Sequence, residues 1–170
     1  NKEIENDTQC CHVDSLPMNR DAAWKYLQEN TKKETNLHHY LESEAVMREL
    51  AEKLGKNVEY WGMLGLMHDI DWEETEDNST LHLTKAPDML KSLGFDDDFI
   101  EIIISHGYGF ECANLQNKIR IRKVEHALAC SETVTGLVYA AARLRPDKIS
   151  SLTVKSLKKN FPKAIPDPAN

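Results

Sequence analysis

Apolar residues along this chain recur at intervals of three and four rather than alternating, and only seven glycines and six prolines interrupt them. That is the helical period, so the chain is predicted to be all-α, a single-domain helical bundle. A first helix is expected over about Asp21 to Asn30, where Ala22, Ala23, Tyr26 and Leu27 form one stripe behind the capping residues Asn19 and Asp21. A second runs from about Asn36 to Leu54 and stops at Gly55. Val58 to Met67 makes a third, giving way at His68-Asp69. The stretch Ile70 to Thr80, IDWEETEDNST, carries no apolar stripe and is expected as a loop. Helices follow over about Leu83 to Leu93, ended by Gly94, and from the acidic start at Asp96 to His106, broken by Gly107-Tyr108-Gly109. The longest is expected from Arg122 to Arg143, stopped by Pro146, with a short last one over Ser151 to Asn160. Residues 1–18 read as an irregular N-terminal extension, 19–163 as the helical domain and 164–170 as a Pro-containing tail.

Composition narrows what such a bundle does. The chain has 170 residues and a net charge of −7, which repels a phosphate backbone and argues against a nucleic-acid polymer as partner. No apolar run approaches the roughly 18 to 20 residues a membrane span requires, and the polar, acidic start lacks the pattern of a secretory or transit leader. Cys10, Cys11, Cys112 and Cys130 show no disulfide spacing, so a cytoplasmic protein with reduced thiols is expected. Cys10-Cys11-His12 hints at zinc, but no second ligand pair completes a tetrahedral set.

More informative are titratable residues on apolar stripes, since burying such a group is costly without a partner or an ion. His39 shares a face with Val46 and Leu50; Trp61, Leu64 and His68 share another, with Asp69 next in the chain. His82 leads the row Ala86, Leu90 and Leu93, and His106 ends the row Phe99, Ile102 and Ile103. Glu132 sits between Leu128 and Thr135 in the row from Val124 to Tyr139. Any one inward histidine is more often a hydrogen-bonded core residue than a ligand. Four histidines and two carboxylates from five segments are instead a donor set suited to Fe, Mn, Zn or Mg. His12, His38 and His126 lack the pattern and read as solvated.

The order of these residues resembles the HD-domain superfamily, whose signature is a histidine, an adjacent His-Asp pair and a distant aspartate. HYLESEAVMRELAEKLG from His39 is similar to the first ligand helix, and WGMLGLMHDIDWEET from Trp61 to the HD helix and its loop. HLTKAPDMLKSLG from His82 and IIISHG ending at Gly107 resemble segments that add two histidines in two-metal members. EHALACSETVTGLVYAAARLRPDK from Glu125 looks like the last ligand helix of a branch of predicted hydrolases with an HDIG-type motif. The resemblance implies His39, His68, Asp69 and Glu132 as core ligands, with Asp69 bridging a second ion held by His82 and His106. Two departures stand out: Glu132 replaces an aspartate, and HDID puts Asp71 where many members have glycine.

One or two divalent ions (Fe, Mn, Zn, Ni, Co or Mg) are therefore expected, and six donors favour two. Such a site suits phosphate-ester hydrolysis of a small phosphorylated molecule, with a nucleotide as the expected example. Metal lowers the pKa of bound water from about 15.7 toward 7, and a second ion clamps the attacking and leaving oxygens. Asp69 is placed at the centre of this chemistry. Lys85, one turn after His82, is the candidate phosphate-binding cation, with Arg120 and Arg122 as more distant alternatives and a solvated lysine as the bland reading. Asp71 and Glu73 are the candidates for leaving-group protonation. Two rival readings remain: a di-iron oxygenase on the same donors, and a non-catalytic metal-binding or regulatory module, which the Glu132 departure motivates.

Overall fold

The computed structural model describes residues 15–160, among which no strand occurs, and the all-α class holds. Contacts group the chain into two compact units, residues 1–132 and 133–170. Cys10-Cys11-His12 and the tail 164–170 lie outside the described residues, as does the expected N-terminal extension apart from 15–18. Among the described residues no helix is long and apolar enough to cross a membrane.

In the first unit, α1 (Arg20–Asn30) opens where the Asn19 side chain accepts the Ala22 N–H at 2.9 Å. Its buried pair is Ala23 and Leu27, one turn apart, whereas Ala22 is exposed because it lies about 100° round the helix. α2 (Glu34–Leu54) ends at Gly55, whose φ of 64° is the left-handed cap glycine permits. The buried residues of α2 are Tyr40, Ser43, Glu44, Met47 and Ala51, while Val46 and Leu50 are half-buried. The core stripe is thus turned by one residue from the expected one, leaving His39 at its edge.

α3 (Val58–Met67) is the central helix, buried at every position from Tyr60 to Met67, as an element apolar on all sides must be. α2 lies close along it because residue 65 is glycine: a Cβ there would stand 2.5 Å from the Ser43 carbonyl oxygen. A charged clasp fixes the three helices at their edge. Buried Glu44 accepts from Arg20 Nε and Nη2 at 3.0 and 2.9 Å and from Arg48 Nε at 2.8 Å. The rest of the Arg48 guanidinium forks onto Glu59 at 2.7 and 2.9 Å. Carboxylate burial is tolerated here because every approach to Glu44 ends on a guanidinium.

The Ile70–Thr80 stretch is not simply a loop. It folds as the single turn α4 (Trp72–Thr75), in which Thr75 Oγ1 donates to the Asp71 carbonyl at 2.9 Å, and as a 3-10 turn over Ser79–Leu81 capped by Asn78. Elements this short complete no apolar stripe, so periodicity misses them. α5 (Ala86–Ser92) starts three residues later than expected, because Leu83 takes a left-handed φ of 67° and breaks the helical path. α6 (Asp97–Ser105) starts at Asp96, whose side chain accepts the Phe99 N–H at 2.8 Å. Leu27, Met47, Leu64, Leu90, Phe99 and Leu128 belong to one hydrophobic core in this unit. α7 (Lys123–Arg143) begins here, with buried Glu125 accepting the Ile121 and Arg122 N–H groups ahead of it at 2.8 and 3.0 Å.

Beyond Glu132, the second unit holds the rest of α7, a 3-10 turn over Lys148–Ser151 and α8 (Val154–Asn160). α8 starts later than expected, after Thr153 and Ser156 exchange reciprocal side-chain-to-backbone caps at 3.1 and 3.2 Å.

Candidate metal centre

Two of the candidate histidines are placed by the same local device. α3 and α6 each end on a histidine, His68 and His106, in the C-cap position. Each ring turns back on its own helix, His68 Nδ1 to the Gly65 carbonyl at 2.9 Å and His106 Nδ1 to the Ile103 carbonyl at 2.6 Å. A carbonyl only accepts, so both Nδ1 atoms carry the proton and both Nε2 atoms point outward as lone pairs. The pairing also satisfies carbonyls that a helix end leaves open. His82 reaches the same state by another route: its Nδ1 lies 3.1 Å from Asp71 Oδ1, so the Nδ1–H donates to the carboxylate and Nε2 again faces the centre as a lone pair. His39 enters from the second turn of α2.

These rings converge on Asp69. His39 and His68 Nε2 both lie 3.4 Å from its Oδ2, and His82 and His106 Nε2 lie 3.4 and 3.3 Å from its Oδ1. Within the pairs, His39 and His68 Nε2 are 3.2 Å apart, and His82 and His106 Nε2 are 3.0 Å apart. Two triads result, each able to hold an ion, with Asp69 common to both.

The donors fit divalent metal. Two ligands each about 2.1 Å from one ion stand about 3.0 Å apart at a right angle and about 3.4 Å apart at the tetrahedral angle. His82 and His106 face each other at 3.0 Å through atoms that both carry lone pairs, an arrangement that repels unless a cation lies between them. Asp69 Oδ1 is buried without a hydrogen-bond partner, which is costly for a carboxylate oxygen unless an ion compensates.

Charge on the site residues follows their surroundings. Burial drives His68 down to about 3, so the ring stays neutral and able to ligate. For His39 and His82, burial lowers the pKa, but Asp69 in one case and Asp71 with Asp69 in the other outweigh it and raise the net value.

Other sequence candidates fall at varied distances from this centre. Glu132 is half-buried on the wall of the same cavity, outside both triads. The fully buried carboxylate near the start of α7 is instead Glu125. The Lys85 ammonium is exposed and paired with Glu74 at 2.6 Å; it is the Lys85 backbone N–H that faces the site, donating to Asp71 Oδ2 at 3.2 Å. Asp71 is fully buried, and a third donor, Ala86 N–H, also reaches Oδ2 at 3.2 Å. Its backbone, at φ −98° and ψ 0°, suits any residue, so this turn does not depend on glycine. Glu73 accepts from Lys32 N–H and Asn36 Nδ2, both at 3.1 Å. Arg122 pairs with Asp98, and Arg120 Nη2 donates to the His106 carbonyl. His38 and His126 are exposed, as expected of bystanders, while His12 is outside the described residues.

Sequence reasoning missed the anchoring role of Asp71 and the cavity beside the donors. That cavity measures about 610 Å³, and its wall includes Asn36, Trp72, Thr80, Phe110 and Glu111. The size falls within the range for small-molecule sites. The available signal was Trp72, a large aromatic residue three positions after Asp69 in a segment otherwise acidic and polar.

The HD domain profile matches residues 36–149, a span that contains all four converging histidines, Asp69 and Glu132. No curated protein and no solved structure matches the chain.

Proposed function

The chain belongs to the HD domain family, and on that premise we propose that it is a metal-dependent phosphohydrolase acting on a small phosphorylated molecule. The observation that supports this reading is the pairing of imidazoles on the two oxygens of Asp69, His39 with His68 and His82 with His106. His39, His68, Asp69, His82 and His106 are the ligands proposed for two divalent ions, with Glu132 as a sixth donor from the cavity wall. When bound, such ions lower the pKa of coordinated water and place positive charge against phosphoryl oxygens.

The chain's own residues have separate tasks in this scheme. Asp69, whose two oxygens each face one histidine pair, joins the two halves of the site. The backbone carbonyls of Gly65 and Ile103 fix the donor face of His68 and His106, and Asp71 does the same for His82. Trp72 and Phe110 offer flat apolar surface to the organic part of the substrate, and Asn36 and Thr80 offer polar groups beside it. The acidic chain has no polymeric nucleic acid or membrane as partner in this proposal, and its place is the cytoplasm.

The test is elemental analysis of the purified protein, followed by phosphate release from a panel of phosphomonoesters with Mn, Co, Ni or Mg added. Stoichiometric metal and hydrolysis, both lost in His68→Ala and Asp69→Ala, are expected. Metal-free protein that releases no phosphate under any metal would overturn the proposal. Oxygen consumption by iron-loaded protein without phosphate release would move it to the oxygenase reading.

A further inference from the structure

His82 and His106 are 24 residues apart in the chain, yet their Nε2 atoms stand 3.0 Å from each other. Asp71 fixes the His82 ring by its Nδ1 but not the place of the His82 backbone. That backbone belongs to a turn from Leu81 to Thr84, closed by the Thr84 N–H on the Leu81 carbonyl at 3.0 Å. His82 is its second residue, at φ −54° and ψ 138°, and Leu83 its third, at φ 67°. These values match a type II turn, whose third position ordinarily takes glycine because a left-handed φ crowds a Cβ. Leucine there is strained, and such strain persists only where the surroundings over-determine it.

Leu83 is held by the segment that follows His106. Its side chain is 1% exposed, and its Cδ1 fills the space beside Gly107: a Cβ on residue 107 would lie 2.5 Å from that atom, 3.0 Å from Cys112 Sγ and 3.1 Å from Leu115 Cδ1. Gly107 does not take a left-handed φ, so this position requires a missing side chain rather than backbone freedom. The side chain next to one histidine thus rests on the bare backbone next to the other. We propose that Leu83 and Gly107 are positioning residues for the second metal ion: their contact sets the separation of His82 and His106, and with it the affinity of that half of the site. The inference rests on the two-ion reading above and deepens it. The other half draws His39 and His68 from α2 and α3, whose close approach is set by Gly65 instead.

Leu83→Gly separates this role from that of a turn residue. Glycine suits the turn at least as well as leucine, whereas loss of the side chain frees the histidine pair. Zinc is titrated into the metal-free full chain by calorimetry, with long-range nitrogen–proton NMR of the imidazoles telling the two halves apart. In Leu83→Gly and in Gly107→Ala, zinc binding at His82 and His106 is expected to weaken by at least about tenfold, as for loss of an outer-shell partner. Binding at His39 and His68 should stay within about threefold of wild type. The double variant has room for the new methyl group, so it should bind the second ion within about threefold of Leu83→Gly alone. Wild-type affinity at both halves in the single variants, or equal weakening of both halves, overturns the positioning role and leaves the two-ion reading standing. A Gly107→Ala effect that persists undiminished beside Leu83→Gly overturns the contact as its cause. Loss of the fold in both single variants, read by circular dichroism, makes the contact one of stability alone and overturns it too. Wild-type protein whose His82 and His106 resonances do not respond to zinc overturns both the inference and the two-ion reading. Phosphate release enters none of these outcomes, so failure of the hydrolase reading is distinguishable from failure here.

Discussion

Replacing Asp71 by asparagine changes almost no volume and yet removes an acceptor the site depends on. The carboxylate takes three donors: His82 Nδ1–H on Oδ1 at 3.1 Å, and the Lys85 and Ala86 N–H groups on Oδ2, each at 3.2 Å. A carboxamide offers one oxygen and one NH2. If the oxygen stays on the two backbone donors, the NH2 faces His82 Nδ1, and the ring must move its proton to Nε2, taking the lone pair out of the centre. If the amide flips, His82 keeps its tautomer and the Lys85 and Ala86 N–H groups, the second of them buried, lose their acceptor. A buried donor left unsatisfied costs about 1–3 kcal/mol, which for a chain of this size lowers Tm by roughly 2–12 °C. Loss of an anchoring partner of a ligating histidine typically weakens metal binding about 10- to 100-fold. Urea unfolding of the metal-free variant reads the first quantity, calorimetric metal titration the second, and long-range nitrogen–proton NMR the His82 tautomer. Wild-type stability together with two ions bound at wild-type affinity would refute the assignment of Asp71 as the group that orients His82.

Two further predictions concern the packing that brings the donors together. Gly65→Ala places a methyl group 2.5 Å from the Ser43 carbonyl oxygen, so α2 and α3 must separate; an overpacking cost of about 1–3 kcal/mol is expected in denaturant unfolding, with metal lost first from the His39–His68 half of the site. Unchanged stability would show that the helices are not held at contact there. Glu44→Gln should cost about 1–3 kcal/mol at pH 7, and the deficit should shrink on acidification. Burial raises the Glu44 pKa, but hydrogen bonds from Arg20 and Arg48 outweigh it and lower the net value. The stabilisation is therefore full above the unfolded value, about 4.3, and is lost as the pH falls through the lower folded one. Unfolding curves at several values from pH 7 down to pH 3 check this, and a gap that stays constant would contradict it.

Much of this protein can be read from its residue order, and the reason is local. Helical period, Asn19 and Asp96 as caps and Gly55 as a stop depend on interactions within a few residues, so α1, α2, α3 and α6 lie within two residues of where the pattern puts them. His68 and His106 were also legible, since a histidine ending an apolar row already faces inward. What the residue order could not supply is angle and partner. Whether the core stripe of α2 runs through Val46 or Met47 depends on how closely α3 approaches, which Gly65 decides across the interface. Asp71 reads as a loop acid until folding brings it, 11 residues along the chain, to His82. Lys85 reads as a phosphate cation until its ammonium is found on Glu74. Glu132 has the period of a buried residue but lies on a cavity wall, because burial there is set by what the neighbouring elements leave open. Periodicity determines which face of a helix turns inward; only the tertiary packing decides what each inward group meets, because those contacts join residues the chain keeps far apart.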